Sequence, residues 1–237
     1  MVAPQVSLRE VVRSWSSRSP RGAVFDFNGT LSDDEEILLD VFTGLFARHL
    51  HWEMAPSEYY SRLAGRSDRE IIQTVIAEHA PSETALLDEL LRERREAYER
   101  EVTARPPIRP GTEALVARLA LQGVPVAVVT GAQRADVLRV LRGSPVGAQV
   151  QVLVTEEDVT AGKPDPEGYL TAADRLGLEP SRILVFEDSI PGARAALAAG
   201  MYCIGVAGTH PPGQLEEVTG VVVPSLEESI VDPDGAG

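Results

Sequence analysis

Cysteine is almost missing from this chain of 237 residues. Cys203 stands alone, which excludes an intrachain disulfide and a thiolate metal cluster and suits a cytoplasmic setting. Lysine is as scarce, since Lys163 is the only one and every other basic side chain is an arginine. The 22 basic residues form no long cluster and are outnumbered by 36 acids, for a net charge of −14. A phosphodiester backbone or an anionic membrane surface is therefore repelled, which argues against nucleic acid and membrane partners. No apolar run approaches the length that spans a bilayer, and the first residues carry Arg9, Glu10 and Arg13 where an export signal needs an apolar core. What is present is ordinary: 43% hydrophobic and 24% charged residues, enough for one large domain or two smaller ones.

Periodicity changes character along the chain. A short helix around Leu8 to Trp15 and a polar stretch to Arg21 read as a loosely attached lead-in, residues 1–21. Ala23 to Phe27 is a short apolar strand. From Ile37, Leu38, Val41, Phe42, Leu45, Phe46 and Leu50 mark one helical face. Ser67 to Glu70 has capping-box spacing, and Ser82 opens a long charged helix towards Val102. Residues 35–104 thus read as all-helical, and the prolines of Arg105 to Gly111 read as the linker that ends them. Strands at Pro125 to Thr130, Val150 to Val154, Ile183 to Phe186 and Cys203 to Val206 then alternate with helices at Ala132 to Leu141, Pro166 to Leu176 and Pro191 to Ala199. Continuous apolar strands of this kind suit a parallel sheet covered by helices on both faces. Val221 to Val223 is a candidate last strand, and the chain beyond Ser229 reads as a mobile tail. The expected fold class is α/β: a Rossmann-like parallel core (22–34 and 105–230) with an inserted helical cap (35–104) and a flexible tail (231–237).

In an open parallel sheet, ligands bind beyond the carboxyl ends of the strands, where the strand order reverses. The polar residues of this chain gather at such ends. Asp26 closes the first strand, Thr130-Gly131 the second and Glu187-Asp188 the fourth, while the third leads to Lys163. Asp26 and Asp188 offer the hard oxygen ligands that Mg2+ takes, and Thr130, nearby backbone amides and Lys163 offer donors and positive charge for a phosphoryl group. Lysine in a chain whose other cationic side chains are all arginine supplies a compact point charge where a guanidinium would impose a planar fork. Each residue has a structural reading too, as a helix cap or a strand-end hydroxyl. Asn28-Gly29 is also a strong hairpin signal, but Leu31 to Glu36 offers four acids and no returning strand.

The segments Asp26-Phe27-Asn28-Gly29-Thr30, Val129-Thr130-Gly131, Gly162-Lys163-Pro164-Asp165-Pro166 and Phe186-Glu187-Asp188-Ser189 with Gly192 resemble the haloacid dehalogenase superfamily, in the β-phosphoglucomutase-like and phosphatase branch with a helical cap. The resemblance implies that Asp26 attacks phosphorus to form an aspartyl-phosphate that water later hydrolyses. It implies Mg2+ held by Asp26, the backbone carbonyl of Asn28 and Asp188, with Glu187 adjacent, and a phosphoryl group gripped by Gly29, Thr30, Thr130, Gly131 and Lys163. Gly65 and Arg66 would be the cap loop facing a small phosphorylated metabolite. Leu38 and Asp68 stand where the mutases carry a histidine and an arginine, which favours a phosphatase. Phosphonate hydrolysis needs a cap lysine, and residues 35–104 contain none.

Residue 28 is the departure. The phosphatases and mutases of the family carry a second aspartate there, which protonates the leaving group and then activates water. An amide hydrogen-bonds but exchanges no proton in that role, so turnover falls by about 10²- to 10⁴-fold where nothing replaces it. Three accounts stand open. The leaving group is acidic enough to depart unaided; another residue, among Asp33, Asp34, His49 and His51, carries the proton; or the chain is an impaired, phosphate-binding or regulatory relative, or an altered form of an active parent.

Overall fold

The computed structural model describes residues 7–83, 85–104, 107–210 and 213–232. Strands β1 (Gly22–Phe25), β2 (Val126–Val129), β3 (Val150–Val154), β4 (Ile183–Glu187), β5 (Tyr202–Val206) and β6 (Val222–Val223) form one parallel sheet in the order β3-β2-β1-β4-β5-β6. Every residue of β1, β2 and β4 is buried, as their unbroken apolar runs require. Strand β3 lies at the edge and leaves Gln151 exposed. The order reverses between β1 and β4, and Phe25 stacks on Phe186 across that seam with ring centroids 4.8 Å apart. Asp26 and Glu187 therefore emerge side by side at the crevice of the sheet.

Helix α1 (Leu8–Ser16) precedes β1. Between β1 and β2 come α2 (Glu35–Leu50), α3 (Pro56–Glu58), which runs on as a π-helical turn over Tyr59–Leu63, α4 (Asp68–His79), α5 (Leu86–Ala104) and α6 (Pro110–Leu121). The remaining helices are α7 (Arg134–Arg142), α8 (Glu167–Leu176), α9 (Ile190–Ala198) and the short α10 (Glu216–Thr219). Leu38, Val41, Phe42, Leu45 and Phe46 form the buried face of α2. Ser67 and Glu70 close the capping box of α4, each bonding the other's backbone amide. One apolar cluster joins the cap helices to a face of the sheet through Phe25, Phe27, Leu31 and Phe186; a second fills the other face under α8 and α9 with Val24, Val185, Tyr169 and Ala196. No helix among the described residues is long and apolar enough to cross a membrane.

Four local expectations change. The lead-in is docked: Val12 and Trp15 are fully buried, and the Trp15 indole donates to the Gly22 carbonyl at 3.0 Å. The expected tail is partly core, because Ile230 and Val231 are buried in a 3₁₀ turn, Glu228–Val231, against α6, while residues 233–237 lie outside the described ones. The proline-rich linker ends sooner than its composition suggests, since Pro110 and Gly111 open α6, with Arg105 and Pro106 outside the described residues. Proline breaks a helix interior but fits the first turn, where its missing N–H has no partner to lose. Finally, α5 begins at Leu86 rather than Ser82, after two successive turns closed by Glu83 N to Ala80 O and Leu86 N to Glu83 O, each at 2.9 Å.

Candidate active site

Beyond the last residue of β1, the chain turns sharply. Ser32 N bonds Phe27 O at 2.8 Å and Gly29 N bonds Ser32 O at 2.8 Å, so residues 27–32 form a compact loop rather than a hairpin. Gly29 has a φ of 77°, and a Cβ there would lie 2.2 Å from Asp188 Oδ2. Glycine lets this loop lie directly on the neighbouring carboxylate. Asp26, Glu187 and Asp188 are buried, and each offers a carboxylate oxygen within 4.8 Å of the others. Lys163 Nζ bonds Asp26 Oδ1 and lies 3.3 Å from Glu187 Oε2. Glu187 also accepts from Ser189 Oγ at 2.7 Å and Tyr169 OH at 3.4 Å; Asp188 accepts from Thr30 Oγ1 at 2.8 Å and from Thr209 Oγ1. Thr130, at the end of β2, turns its hydroxyl to the Ala132 amide at 3.0 Å.

Charge is unbalanced here. Three buried carboxylates face one ammonium, and burial, followed by the neighbouring Asp26 charge, pushes both Glu187 and Asp188 above the ordinary carboxylate range. Burial works against the charge of Lys163, yet Asp26 and Glu187 hold it protonated. Hard oxygens in excess over cations, converging within a few ångströms, fit a divalent ion such as Mg2+. A small space of about 30 Å³ beside Asp26, Asn28 and Asp188 shares Gly65, Thr130, Gly131 and Lys163 with an adjoining cavity of about 420 Å³. The cap loop forms one wall: the Gly131 backbone approaches that of Ser67, and the exposed Arg66 borders the inner space.

Asp26, Asn28, Gly65, Arg66, Thr130, Gly131, Lys163, Glu187 and Asp188 thus meet at one end of the sheet, while Gly29 and Thr30 border neither space and touch Asp188 instead. Among the suggested proton carriers, only Asp34 touches Asn28. Its carboxylate is fully buried and accepts from Asn28 Nδ2 at 2.9 Å, Ser32 Oγ at 2.7 Å and Tyr98 OH; burial raises it to about 6. Asp33 instead pairs with Arg109 at 2.6 Å on the surface, and His49 with Glu93 at 3.0 Å on the cap; neither these two nor His51 borders the cavity. Sequence reasoning missed Glu35, Tyr59, Tyr169 and Thr209. Glu35 borders the inner space, accepts from Tyr59 OH at 3.0 Å and is raised by burial and then by Asp34. The acidic run from Asp33 to Glu36 was its one signal, and it does not say which acid turns inward.

Known proteins resemble this chain in sequence and in fold. The haloacid dehalogenase-like hydrolase family matches residues 20–200. Validoxylamine A 7'-phosphate phosphatase of Streptomyces hygroscopicus subsp. limoneus is 34% identical over 201 residues, covering 82% of this chain and 89% of that protein. Hexitol phosphatase A of Escherichia coli is 34% identical over 221 residues, covering 91% and 96%. The crystal structure of a mutant CbbY from Rhodobacter sphaeroides in complex with xylulose-(1,5)-bisphosphate aligns at a TM-score of 0.76 and 28% identity, covering 88% of this chain and 95% of that one. With a family model matching most of its length and relatives 34% identical over most of both chains, this chain belongs to the haloacid dehalogenase-like hydrolase family, on the phosphatase and phosphomutase branch, and is a phosphoric monoester hydrolase.

Proposed function

We propose that the chain is a Mg2+-dependent phosphatase of a small phosphorylated metabolite, working through an aspartyl-phosphate on Asp26. The observation that carries this reading is the convergence of Asp26, Lys163, Glu187 and Asp188 beside Thr130 at the crevice of the sheet. Asp26 Oδ attacks phosphorus as the ester oxygen departs, and water then attacks the same phosphorus and frees Asp26. Lys163 neutralises the nucleophile's carboxylate and the incoming phosphoryl oxygens, while the Thr130 hydroxyl donates to that group. Asp26, Asp188 and the Asn28 backbone carbonyl would hold Mg2+, with Glu187 beside them; the ion supplies charge stabilisation to the transferring group. The cap of residues 35–104, with Gly65 and Arg66 at its rim, excludes water from the first step. Relatives named for validoxylamine A 7'-phosphate and for hexitols support a polyhydroxylated monophosphate as substrate. The buried single cysteine fits a cytoplasmic setting.

Leu38 and Asp68 support phosphatase over mutase. Leu38 is buried in the cap, and Asp68 is tied to Arg94 at 3.1 Å. A second reading, a non-catalytic phosphate-binding relative, is favoured by the Asn28 amide alone. Hydrolysis of an aryl phosphate with Mg2+ and with a chelator separates the two. Turnover that the chelator abolishes and Mg2+ restores is expected; no turnover, together with no binding of phosphate or Mg2+, would defeat the assignment.

A further inference from the structure

An amide at residue 28 has a specific partner. Asn28 Nδ2 donates to Asp34 Oδ2 at 2.9 Å, the oxygen that also accepts from Ser32 Oγ and Tyr98 OH, while Asp34 Oδ1 lies 3.4 Å from the Gly29 amide. Asp34 is fully buried, and no cation forms an ion pair with it among the described residues. An interior carboxylate in that position depends on the donors around it, and Asn28 is one of them. Aspartate at 28 would set two carboxylates face to face where a donor and an acceptor now meet. The pairing also orients the amide. With Nδ2 engaged, Oδ1 is the remaining polar atom of the side chain, it accepts no hydrogen bond among the described residues, and Asn28 borders the inner space with Asp26 and Lys163. A carbonyl oxygen there accepts from an O–H but has no proton to release.

We propose that Asp34 is a positioning residue matched to Asn28, fixing the amide so that its carbonyl oxygen orients the attacking water and leaves the departing oxygen unprotonated by residue 28. This rests on the phosphatase reading above. In the first step the Asp26–phosphorus bond forms and the ester bond breaks with its electron pair on the departing oxygen, which leaves as the anion and takes its proton from solvent only after release from the site. In the second, water forms a bond to phosphorus, the Asp26–phosphorus bond breaks, and the water proton passes to phosphate or solvent. Turnover then depends steeply on the acidity of the leaving group.

A four-member cycle of wild type, Asn28→Asp, Asp34→Asn and the double exchange tests the pairing by thermal melting, and a graded series of aryl phosphates tests the orientation. The double exchange, which again sets a carboxylate against an amide, is expected to melt above Asn28→Asp and to recover more than the two single shifts predict; additive shifts would overturn the matched pair. Should Asn28→Asp fail to fold, its rescue by Asp34→Asn is the expected result, and an equally insoluble double exchange counts against it. Asp34→Asn alone is expected to lower kcat by on the order of 10²-fold, as a misplaced group does, with KM changed less than about twofold. Wild-type kcat is expected to fall steeply from acidic to weakly acidic phenols, and a flat series would overturn the orientation. No hydrolysis of any phosphate by any variant would defeat the phosphatase reading, while the melting cycle still judges the pair.

Discussion

Glu187 is surrounded so closely that its neighbours have no freedom of type. A Cβ on Gly192 would lie 2.1 Å from Glu187 Oε2, and the Gly192 amide is held by Ser189 Oγ at 3.1 Å, so helix α9 cannot retreat from the carboxylate. Gly192→Ala is expected to cost about 1–3 kcal/mol by overpacking and to weaken the proposed Mg2+ binding, both readable by urea unfolding with and without the ion. A variant as stable as wild type with unchanged Mg2+ response would show that the carboxylate moves freely. Asp26, Thr130, Lys163, Glu187 and Asp188 were legible in the sequence because each ends or follows an apolar strand, and strand ends in a parallel sheet share one crevice. Tyr98 was not, since it reaches Asp34 from a helix 64 residues further on. Its hydroxyl matters only because α5 packs where it does, and no local pattern records that.

Elements whose sequence looks peripheral can carry the core. Helix α1 has the signature of a surface helix in a polar setting, yet Trp15 inserts fully under the sheet, bonds Gly22 at the start of β1 and lies under the Arg21 guanidinium, 5.0 Å from its ring. Trp15→Ala is expected to destabilise the protein by about 3–5 kcal/mol, the range for a large aromatic lost from a packed interior, as measured by chemical denaturation. A loss below about 1 kcal/mol would restore the loosely attached lead-in. The same inversion applies to α6. Proline density marked it as a breaker, but the meaning of proline depends on whether it sits inside a helix or in its first turn, and only the packing of Leu115, Val116 and Leu119 decides that. Alternation of strand and helix from β2 to β5 was legible because hydrophobic period survives any context; element ends were not, because caps and turns compete locally.

At the scale of the molecule, cap and core are joined by a buried ion triad. Arg94 of α5 lies 3.1 Å from Asp68 of α4 and bonds Asp136 of α7, with its guanidinium 4.6 Å from the Tyr98 ring centroid and Tyr98 in turn bonded to Asp34. Burial raises Asp68 to about 6, with Arg94 pulling it down, and burial raises Asp136 in the same sense. Removing the arginine leaves two buried carboxylates without their cation, so Arg94→Met is expected to cost about 3–5 kcal/mol at pH 8. The pH dependence has a definite sign. A carboxyl whose folded pKa is above its unfolded value is most favourable when protonated, so its contribution is complete below the unfolded value and is lost as pH rises through the folded one. Without Arg94 both carboxyls move further up, and the deficit against wild type must shrink as pH falls from 8 towards 5, where they take up protons. Urea melts of both proteins across that range measure it directly. A deficit that grows on acidification would mean that the two aspartates escape to solvent when the arginine is gone, and that the cap is held to the core by its apolar contacts instead.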